Sequence, residues 1–246
     1  MSVCPTAPTT REGVRAVIQC AMDIEAGPFL DALGPDARTT AIGQVERHRQ
    51  TFTTGTLDGS TVLVVVSGIG LANAASATAR ALMMVDPDVV IAAGTTGGLA
   101  PDVEVGDVVV GTSTTYNDAD ATAFGYVRGQ IPRMPVDHRS PELAVLKAEN
   151  LSRHVSQRVR VGQVVSGDSF VTAANVGSMR AEFPQALATD METAALAQVC
   201  FGEGVGWVSV RAVSDLCGPR ADQDFHMDST RAARFSYEAV RVYLSI

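Results

Sequence analysis

The sequence predicts an α/β fold, a three-layer α/β/α sandwich around a twisted, mainly parallel central sheet. Short apolar runs rich in β-branched residues alternate with longer helical stretches, the pattern of a sheet covered by helices on both faces. Several of the runs end in glycine or polar residues, which suits buried parallel strands. No linker or repeat divides the 246 residues. We therefore expect a flexible N-terminal segment over residues 1–12 and a single domain over 13–246.

The alternation begins with a strand and a helix. The run at 14–22 is short and β-branched, and it predicts a buried strand. A helix is predicted over 24–33, where Pro28 is tolerated only near the first turn. Strands are predicted within 39–68, and a hairpin at 57–60 joins them because Asp-Gly favours a tight turn.

The alternation continues through the rest of the chain. The small-residue stretch at 71–85 predicts a helix that packs closely on the sheet, and 87–94 predicts a buried parallel strand. A strand within 159–170 and another over 206–215 flank a helix over 191–204 that ends in glycine.

An amphipathic helix over 229–244 closes the chain. Its predicted core contacts are Ala233, Phe235, Tyr237, Val240 and Leu244. In open α/β sheets, ligands bind beyond the carboxyl ends of strands. Polar or glycine-rich stretches occupy such positions here at 22–25, 67–70, 94–98, 166–170 and 214–215.

Composition excludes several classes of function. The formal net charge is 19 minus 27, or −8, without a basic run, so we expect neither nucleic acid nor a membrane as partner. The apolar runs are shorter than the roughly 20 residues that a membrane span needs. Four scattered cysteines without CxxC or Cys/His spacing argue against a disulfide framework or a zinc site. This pattern fits a reducing cytoplasm. We interpret His138 as a surface residue and Cys217 as a packing residue.

Two glycine segments, 67–70 and 94–98, follow apolar runs. Either segment fits a tight strand-to-helix turn or a close approach of backbone to a ligand. Neither has a GxGxxG fingerprint or a phosphate loop with lysine, so no dinucleotide or ATP site is indicated.

Three acidic residues occupy the same predicted side of the sheet. Glu25 follows the first strand, Glu192 opens a helix, and Asp215 ends a strand. Alone, Glu192 fits a helix cap and Asp215 a turn residue. Their shared side favours a catalytic interpretation. Arg211 fits either a residue that orients a carboxylate or a structural one. Asp118 and Asp120 are interpreted as turn or capping residues.

The motifs VVSGIGLANAA, DVVIAAGTTGGLAPDVEVGDVVV, YNDADATAFGY, VVSGDSF, FPQALATDMETAALAQVC and VSVRAVSD recur here in order and at compatible spacing. Together they resemble the nucleoside phosphorylase/nucleosidase superfamily, most closely its bacterial 5′-methylthioadenosine/S-adenosylhomocysteine nucleosidase branch. The resemblance runs from about Val14 to the C-terminus. It implies an enzyme that hydrolyses the bond between adenine and ribose without a metal or cofactor.

The resemblance also implies residue roles. Asp215 would donate a proton to N7 of the departing purine, and Glu25 would activate the attacking water. Met191 and Glu192 would lie under the ribose, with the glutamate accepting its 2′ and 3′ hydroxyls. The other expected substrate contacts are Phe170 stacked on the purine, the Val171 backbone on the base edge, Ile69 and Phe225 around the 5′-thio group, and Thr95 and Gly97 of GTTGG.

Ala121, Phe124 and Tyr126 belong to a segment that, by the resemblance, reaches into the neighbouring subunit's pocket. We therefore expect a homodimer. Ala121 is small where some relatives have a larger apolar residue, Thr95 and Thr96 stand where many have Ser-Ala or Val-Ala, and Asp190 stands where bacterial relatives commonly have glutamate.

Three alternatives stay open. One is another adenine-releasing hydrolase, acting on aminofutalosine or 5′-deoxyadenosine. A second is a phosphate-dependent phosphorylase, although Ala92 stands where phosphorylases of this superfamily have a phosphate-binding arginine. The third, outside enzymes, is a nucleoside-binding protein.

Overall fold

The computed structural model describes residues 11–44, 49–218 and 221–246, and the side chains of 221–228 are outside the described set. Its strands are β1 Glu12–Val14, β2 Ala16–Cys20, β3 Arg38–Ile42, β4 Gln50–Leu57, β5 Ser60–Val66, β6 Val85–Pro87, β7 Val90–Gly98, β8 Val108–Tyr116, β9 His138–Arg139, β10 Val159–Ser166, β11 Ala186–Asp190 and β12 Trp207–Asp215. Its helices are α1 Asp23–Ala32, α2 Leu71–Met84, α3 Glu142–Leu151, α4 Val176–Glu182, α5 Thr193–Glu203 and α6 Ala221–Ser245.

Ten strands form one sheet, in the order β11-β10-β8-β12-β7-β2-β5-β4-β3, with β9 on β8. The centre is parallel, since β2 pairs in parallel with β5 and β7, and β7 with β12. The α/β class is confirmed, and the sheet is mixed, with parallel pairing at its centre. Antiparallel pairs join β3 to β4 and β4 to β5, and β12 also lies antiparallel to β8.

Strand β11 pairs with two strands that are far apart in the sheet order. It lies parallel to β10 and, through Thr189 opposite Gly97 and Ala188 opposite Gly98, antiparallel to the end of β7. These pairings close a ring of five strands, β7, β12, β8, β10 and β11. The ring places the GTTGG end of β7 beside the residues that lead into α5.

Helices cover both faces of the sheet, each over its own apolar core. One core joins α1, α3 and α6 to the sheet through residues such as Phe29, Ala148 and Val240. The other joins α2 and α5 through residues such as Ala77 and Leu196. A fully buried Val, Leu or Phe side chain stabilises the fold by about 1.5–3 kcal/mol relative to its exposed state.

The predicted strand at 14–22 is shorter than expected. β2 ends at Cys20, and Ala21 and Met22 form the turn into α1. Helix α1 begins at Asp23, so Pro28 is its sixth residue and lies beyond the first turn. The prediction for Pro28 was therefore wrong. Proline has no N–H to donate, and the packing of Phe29 in the core holds the helix together across it.

The other predicted elements are present, most of them with small shifts at their ends. The predicted hairpin has Asp58 and Gly59 at φ 48° and 81°, both in the left-handed region, as a type I′ turn requires. Helix α5 ends with Gly204 as its left-handed cap. Helix α6 begins eight residues before the predicted 229, because its first residues are polar and carry no apolar periodicity.

The predicted core contacts of α6 are confirmed. Ala233, Tyr237 and Val240 are buried, and Phe235 and Leu244 are partly buried against the same core. His138, by contrast, is not a surface residue. It is 4% exposed, because β9 pairs with β8 and the ring of Phe201 packs against it at 5.5 Å. In the described part of the chain, no helix is long and apolar enough to cross a membrane.

Strand β1 begins at Glu12, the last residue of the segment predicted to be flexible, and residues 1–10 lie outside the described ones. The assignment of residues 13–246 to a single domain stays a prediction.

Candidate functional site

A cavity partly open to solvent lies beyond the carboxyl ends of β2, β5, β7, β10, β11 and β12. The sequence predicts a ligand at this end of the sheet. Nine of the predicted site residues line it: Glu25, Ile69, Thr95, Gly97, Phe170, Val171, Met191, Glu192 and Asp215. The remaining described ones, Ala121, Phe124 and Tyr126, do not line the cavity of their own chain. The side chain of Phe225 lies outside the described residues.

Glu25 is held in the first turn of α1 with 1% of its surface exposed. Oε2 accepts hydrogen bonds from the backbone N–H groups of Ala21 (2.9 Å) and Met22 (3.1 Å). Oε1 accepts two more, from the N–H and the hydroxyl of Thr95, both at 2.8 Å. Four converging donors fix the direction of the carboxylate.

The position of Glu25 depends on a glycine in β7. A Cβ built on Gly94 would lie 2.4 Å from both the carboxyl carbon and Oε1 of Glu25. Gly94 also has φ of +130°, which side chains other than glycine rarely adopt. The first glycine of GTTGG is thus required for the approach of Glu25 to the backbone.

Arg211 of β12 lies buried among carboxylates. It donates to the Thr95 carbonyl (Nη1, 2.9 Å) and to Glu192 Oε2 (Nη2, 3.1 Å). Nε lies 3.1 Å from Asp190 Oδ2, but it has no hydrogen-bond acceptor in suitable geometry among the described residues, so this contact is ionic. Nη1 is 4.0 Å from Glu25 Oε1. Three carboxylates surround one guanidinium, which gives this cluster a formal charge of −2 when every acid is ionised.

The cluster shifts the titration of its members. Burial, and then the charges of Asp190 and Glu25, raise the pKa of Glu192, although Arg211 and the Gly70 N–H (3.0 Å from Oε1) counteract them. Burial alone would lower the pKa of Arg211, but the surrounding carboxylates outweigh it and raise that pKa.

Asp190, rather than Glu192, caps helix α5. Its Oδ1 accepts from the backbone N–H groups of Glu192 (3.1 Å) and Thr193 (3.0 Å) and from the Ser166 hydroxyl (2.6 Å). Glu192 makes no capping hydrogen bond through its own side chain. The interpretation of Glu192 as a helix cap was therefore wrong. Asp190, two residues earlier, caps α5, and the Glu192 carboxylate faces Arg211.

Asp215 ends β12 with 2% of its surface exposed. Ser214 donates its hydroxyl to Oδ2 (3.0 Å), and the Cys217 N–H donates to Oδ1 (2.9 Å). Burial, and next the charge of Asp215, raise the pKa of the Cys217 thiol to about 12. The thiol stays protonated near neutral pH and packs against Gly97, so it is a packing residue and not a nucleophile.

Two partly exposed apolar side chains border the cavity. Ile69 follows β5 and is 51% exposed, and Phe170 follows β10 and is 45% exposed. The buried residues Glu25, Glu192 and Asp215 line the same cavity. The cavity thus offers an apolar entrance that can contact a flat ring or an alkyl group, and a charged interior.

Several residues that line or hold the site were not predicted. Thr189, Ser214 and Cys217 line the cavity. Each lies within two residues of a predicted site residue, which was the available signal. Arg211 orients Glu192, as one of its two interpretations proposed. Asp120 accepts a hydrogen bond from the backbone N–H of Thr122, which confirms its predicted turn role. Asp118 instead accepts one from the N–H of Asp168 in a distant loop, so its predicted turn or capping role stays a prediction.

Comparison with known proteins gives one consistent result. The phosphorylase superfamily matches residues 15–245. A 5′-methylthioadenosine/S-adenosylhomocysteine nucleosidase of Anoxybacillus flavithermus is 41% identical over 196 residues, covering 79% of this chain and 84% of that protein. The enzyme of the same name from Staphylococcus aureus is 37% identical over 209 residues, covering 85% of this chain and 92% of that protein.

Solved structures agree with these relatives. A nucleosidase of this name from Neisseria meningitidis, in complex with methylthio-immucillin-A, superposes with a TM-score of 0.85 at 34% identity, covering 94% of this chain and 99% of that one. One from Colwellia psychrerythraea, in complex with adenine, gives 0.86 at 34% identity, covering 96% and 97%.

Proposed function

Since the chain belongs to the phosphorylase superfamily, we propose that it is an N-glycosyl hydrolase acting on 5′-methylthioadenosine and S-adenosylhomocysteine. Water would cleave the bond between adenine and C1′, releasing adenine and the 5-thioribose derivative. The observation that carries the proposal is the cluster of buried carboxylates around Arg211 at the cavity, since a reaction through a cationic sugar needs negative charge at that place.

Cleavage begins at the leaving base. Purine is a poor leaving anion, and Asp215 is assigned as the general acid that protonates N7 as the bond to C1′ breaks. Its oxygens are held by Ser214 and the Cys217 N–H, which fixes the direction of the carboxyl group. The bond electrons leave with the base, and positive charge develops on the ribose.

The sugar and the water are assigned to the other two acids. Glu192 would accept the ribose hydroxyls and stabilise the positive charge, with Met191 beneath the ring. Glu25 would orient a water molecule and accept its proton as the oxygen attacks C1′. Atoms then balance, because the proton that Asp215 gives up is matched by the one that Glu25 receives.

The charge of the site supports water over phosphate as the nucleophile. Arg211 is the one cationic side chain among the described residues lining the cavity, and its donors already face Thr95 and Glu192. Ala92 is buried in β7, where the phosphorylases of the superfamily have an arginine. A phosphate dianion would meet Glu25 and Glu192 without a free cation to bind it.

The remaining site residues are assigned to substrate recognition. Phe170 would stack on the purine and the Val171 backbone would read its edge. Thr95 and Gly97 line the floor of the cavity. Ile69, together with Phe225, would contact the 5′-thio substituent.

We further propose that two copies of the chain pair. Phe124 is 84% exposed, and its neighbours in the same loop region, Val127 and Val136, are 48% and 53% exposed. Apolar side chains exposed together favour an interface. The segment with Ala121, Phe124 and Tyr126 would then complete the cavity of the partner. Light scattering on the parent and on Phe124→Asp would test this, and a parent that is monomeric at micromolar concentration would refute it.

The buried free thiols of Cys20, Cys200 and Cys217 fit a cytoplasmic location, which we propose together with a place in methionine salvage.

The test of the function is base release from 5′-methylthioadenosine, S-adenosylhomocysteine and inosine, each with and without phosphate. Adenine released from the first two without phosphate supports the proposal. Release that requires phosphate would make the protein a phosphorylase. No release from any of the three would favour another 5′-modified adenosine, such as aminofutalosine, or binding without catalysis.

A further inference from the structure

Two loops that carry the apolar border of the cavity are joined by one exposed aspartate. Asp168 follows β10 and lies two residues before Phe170. Its Oδ1 accepts a 2.8 Å hydrogen bond from the backbone N–H of Leu71, the first residue of α2 and two residues after Ile69. The two bordering side chains thus belong to loops that are tied at this bond.

The bond replaces a cap that α2 lacks. Gly70 is the residue before the helix, and no side chain from its own segment caps it. Asp168 approaches so closely that a Cβ on Gly70 would lie 2.9 Å from its Oδ1. A carboxylate at the N-terminus of a helix is also favoured by the helix dipole.

The same contact region continues to the interior and to a third loop. The N–H of Gly70, adjacent to Leu71, donates to Glu192. On the other side, the N–H of Asp168 donates to Asp118 Oδ2 (3.1 Å), in the loop after β8. The two loops that border the cavity and the loop after β8 are therefore linked through Asp168.

We propose that Asp168 is a positioning residue, which holds Ile69 and Phe170 on two sides of the cavity and so sets the affinity for the nucleoside. This inference rests on the proposed function. Asp168 does not line the cavity and has no assigned part in the chemical step. Its loss separates the two loops, weakens the contacts to base and 5′ substituent, and leaves Asp215 and Glu25 in place.

The experiment compares KM and kcat for 5′-methylthioadenosine in the parent, Asp168→Ala and Asp168→Asn. Asparagine keeps an acceptor oxygen for the Leu71 N–H, and alanine does not. We expect KM to rise about 10-fold in the alanine variant, with kcat within about twofold of the parent, since one charge-assisted hydrogen bond is lost. The asparagine variant should restore KM to within about threefold.

Asp58→Ala is the matched control. Asp58 is also an exposed aspartate, but it precedes β5, whereas Ile69 follows that strand. The Asp58→Ala variant should have the KM and kcat of the parent. Melting temperatures of all four proteins show how much stability each variant loses, so a KM increase shared by Asp58→Ala would reveal a general effect of destabilisation and would refute the positioning role.

Adenine binding by calorimetry completes the comparison. If the parent neither releases nor binds adenine, the proposed function fails and this inference fails with it. If the parent is active but Asp168→Ala keeps its KM and its adenine affinity, or loses kcat alone, only the role of Asp168 is refuted.

Discussion

The carboxylate of Glu25 lies against the backbone of Gly94, within 2.4 Å of where a Cβ would be. Helix α1 and strand β7 can come this close only with glycine at that position. The assigned general base is therefore placed by a missing side chain as much as by its own hydrogen bonds.

Gly94→Ala should strongly reduce activity, because the new methyl group displaces Glu25 from its donors. We expect kcat to fall by about 10²–10⁴, the contribution of a general base. Adenine release from 5′-methylthioadenosine is the measurement. Gly59→Ala is the control, since Gly59 also has a positive φ (+81°) but nothing within 4 Å of an added Cβ. Equal losses in both variants would contradict the placement argument.

Asp215→Asn should bind substrate but turn it over about 10²–10⁴ times more slowly, because asparagine keeps the shape of the side chain without a proton to donate. The Cys217 N–H can still donate to the amide oxygen, and the Ser214 hydroxyl can accept from the amide nitrogen instead of donating. Single-turnover kinetics and calorimetric binding of 5′-methylthioadenosine separate the two effects. A variant as fast as the parent would rule Asp215 out as the general acid.

Glu192→Gln should stabilise the empty protein increasingly as pH rises. The pKa of Glu192 is raised in the folded state, chiefly by burial, so the folded protein holds this proton more tightly than the unfolded chain does. That contribution to stability is present below the ordinary glutamate pKa and is lost as pH rises through the folded value. Glutamine does not ionise and keeps it.

The measurement for Glu192 is the melting temperature of parent and variant from about pH 5 to about pH 8. The difference, variant minus parent, should grow with pH, while the variant loses most of its activity. A difference that is constant or shrinks with pH would show that Arg211 compensates the buried charge fully. Glu142→Gln serves as an exposed control.

Thiol labelling should leave Cys20, Cys200 and Cys217 of the native protein unmodified. Burial is the first cause that raises the pKa of Cys20, and it raises those of Cys200 and Cys217 to about 12. Iodoacetamide at about pH 8 should therefore label none of these three within minutes, since the thiolate is the reacting form. Intact mass spectrometry counts the labels, and denatured protein should take up four. Rapid labelling of Cys217 in the native state would contradict its assignment as a packing residue.

The sequence allowed much of the site to be predicted, because its acids stand where strands end. Glu25, Glu192 and Asp215 were expected on one side of the sheet, and they line one cavity. The periodicity that predicts a strand also predicts where its carboxyl end lies, and this is local information.

The partners of those acids could not be read in the same way. That Asp190 caps α5, or that Arg211 contacts Glu192 rather than serving as a structural residue, depends on the register between β12, β7 and β11. Register is decided by packing between segments that are distant in sequence. The burial of His138 has the same origin, since β9 is only two residues long and carries no period.

The five-strand ring has a consequence for how the site can open. The backbone around Gly97 and Thr189 is paired on both sides within a closed circuit, without a terminal strand that can peel away. Local unfolding of this backbone would open the whole ring of strands. The floor of the cavity should therefore exchange its amide hydrogens only through global unfolding, while the loops that bear Ile69 and Phe170, held by a few side-chain hydrogen bonds, should exchange through smaller openings. The reacting end of the cavity is thus fixed by a closed ring of strands, and its entrance is formed by loops that follow those strands or their neighbours.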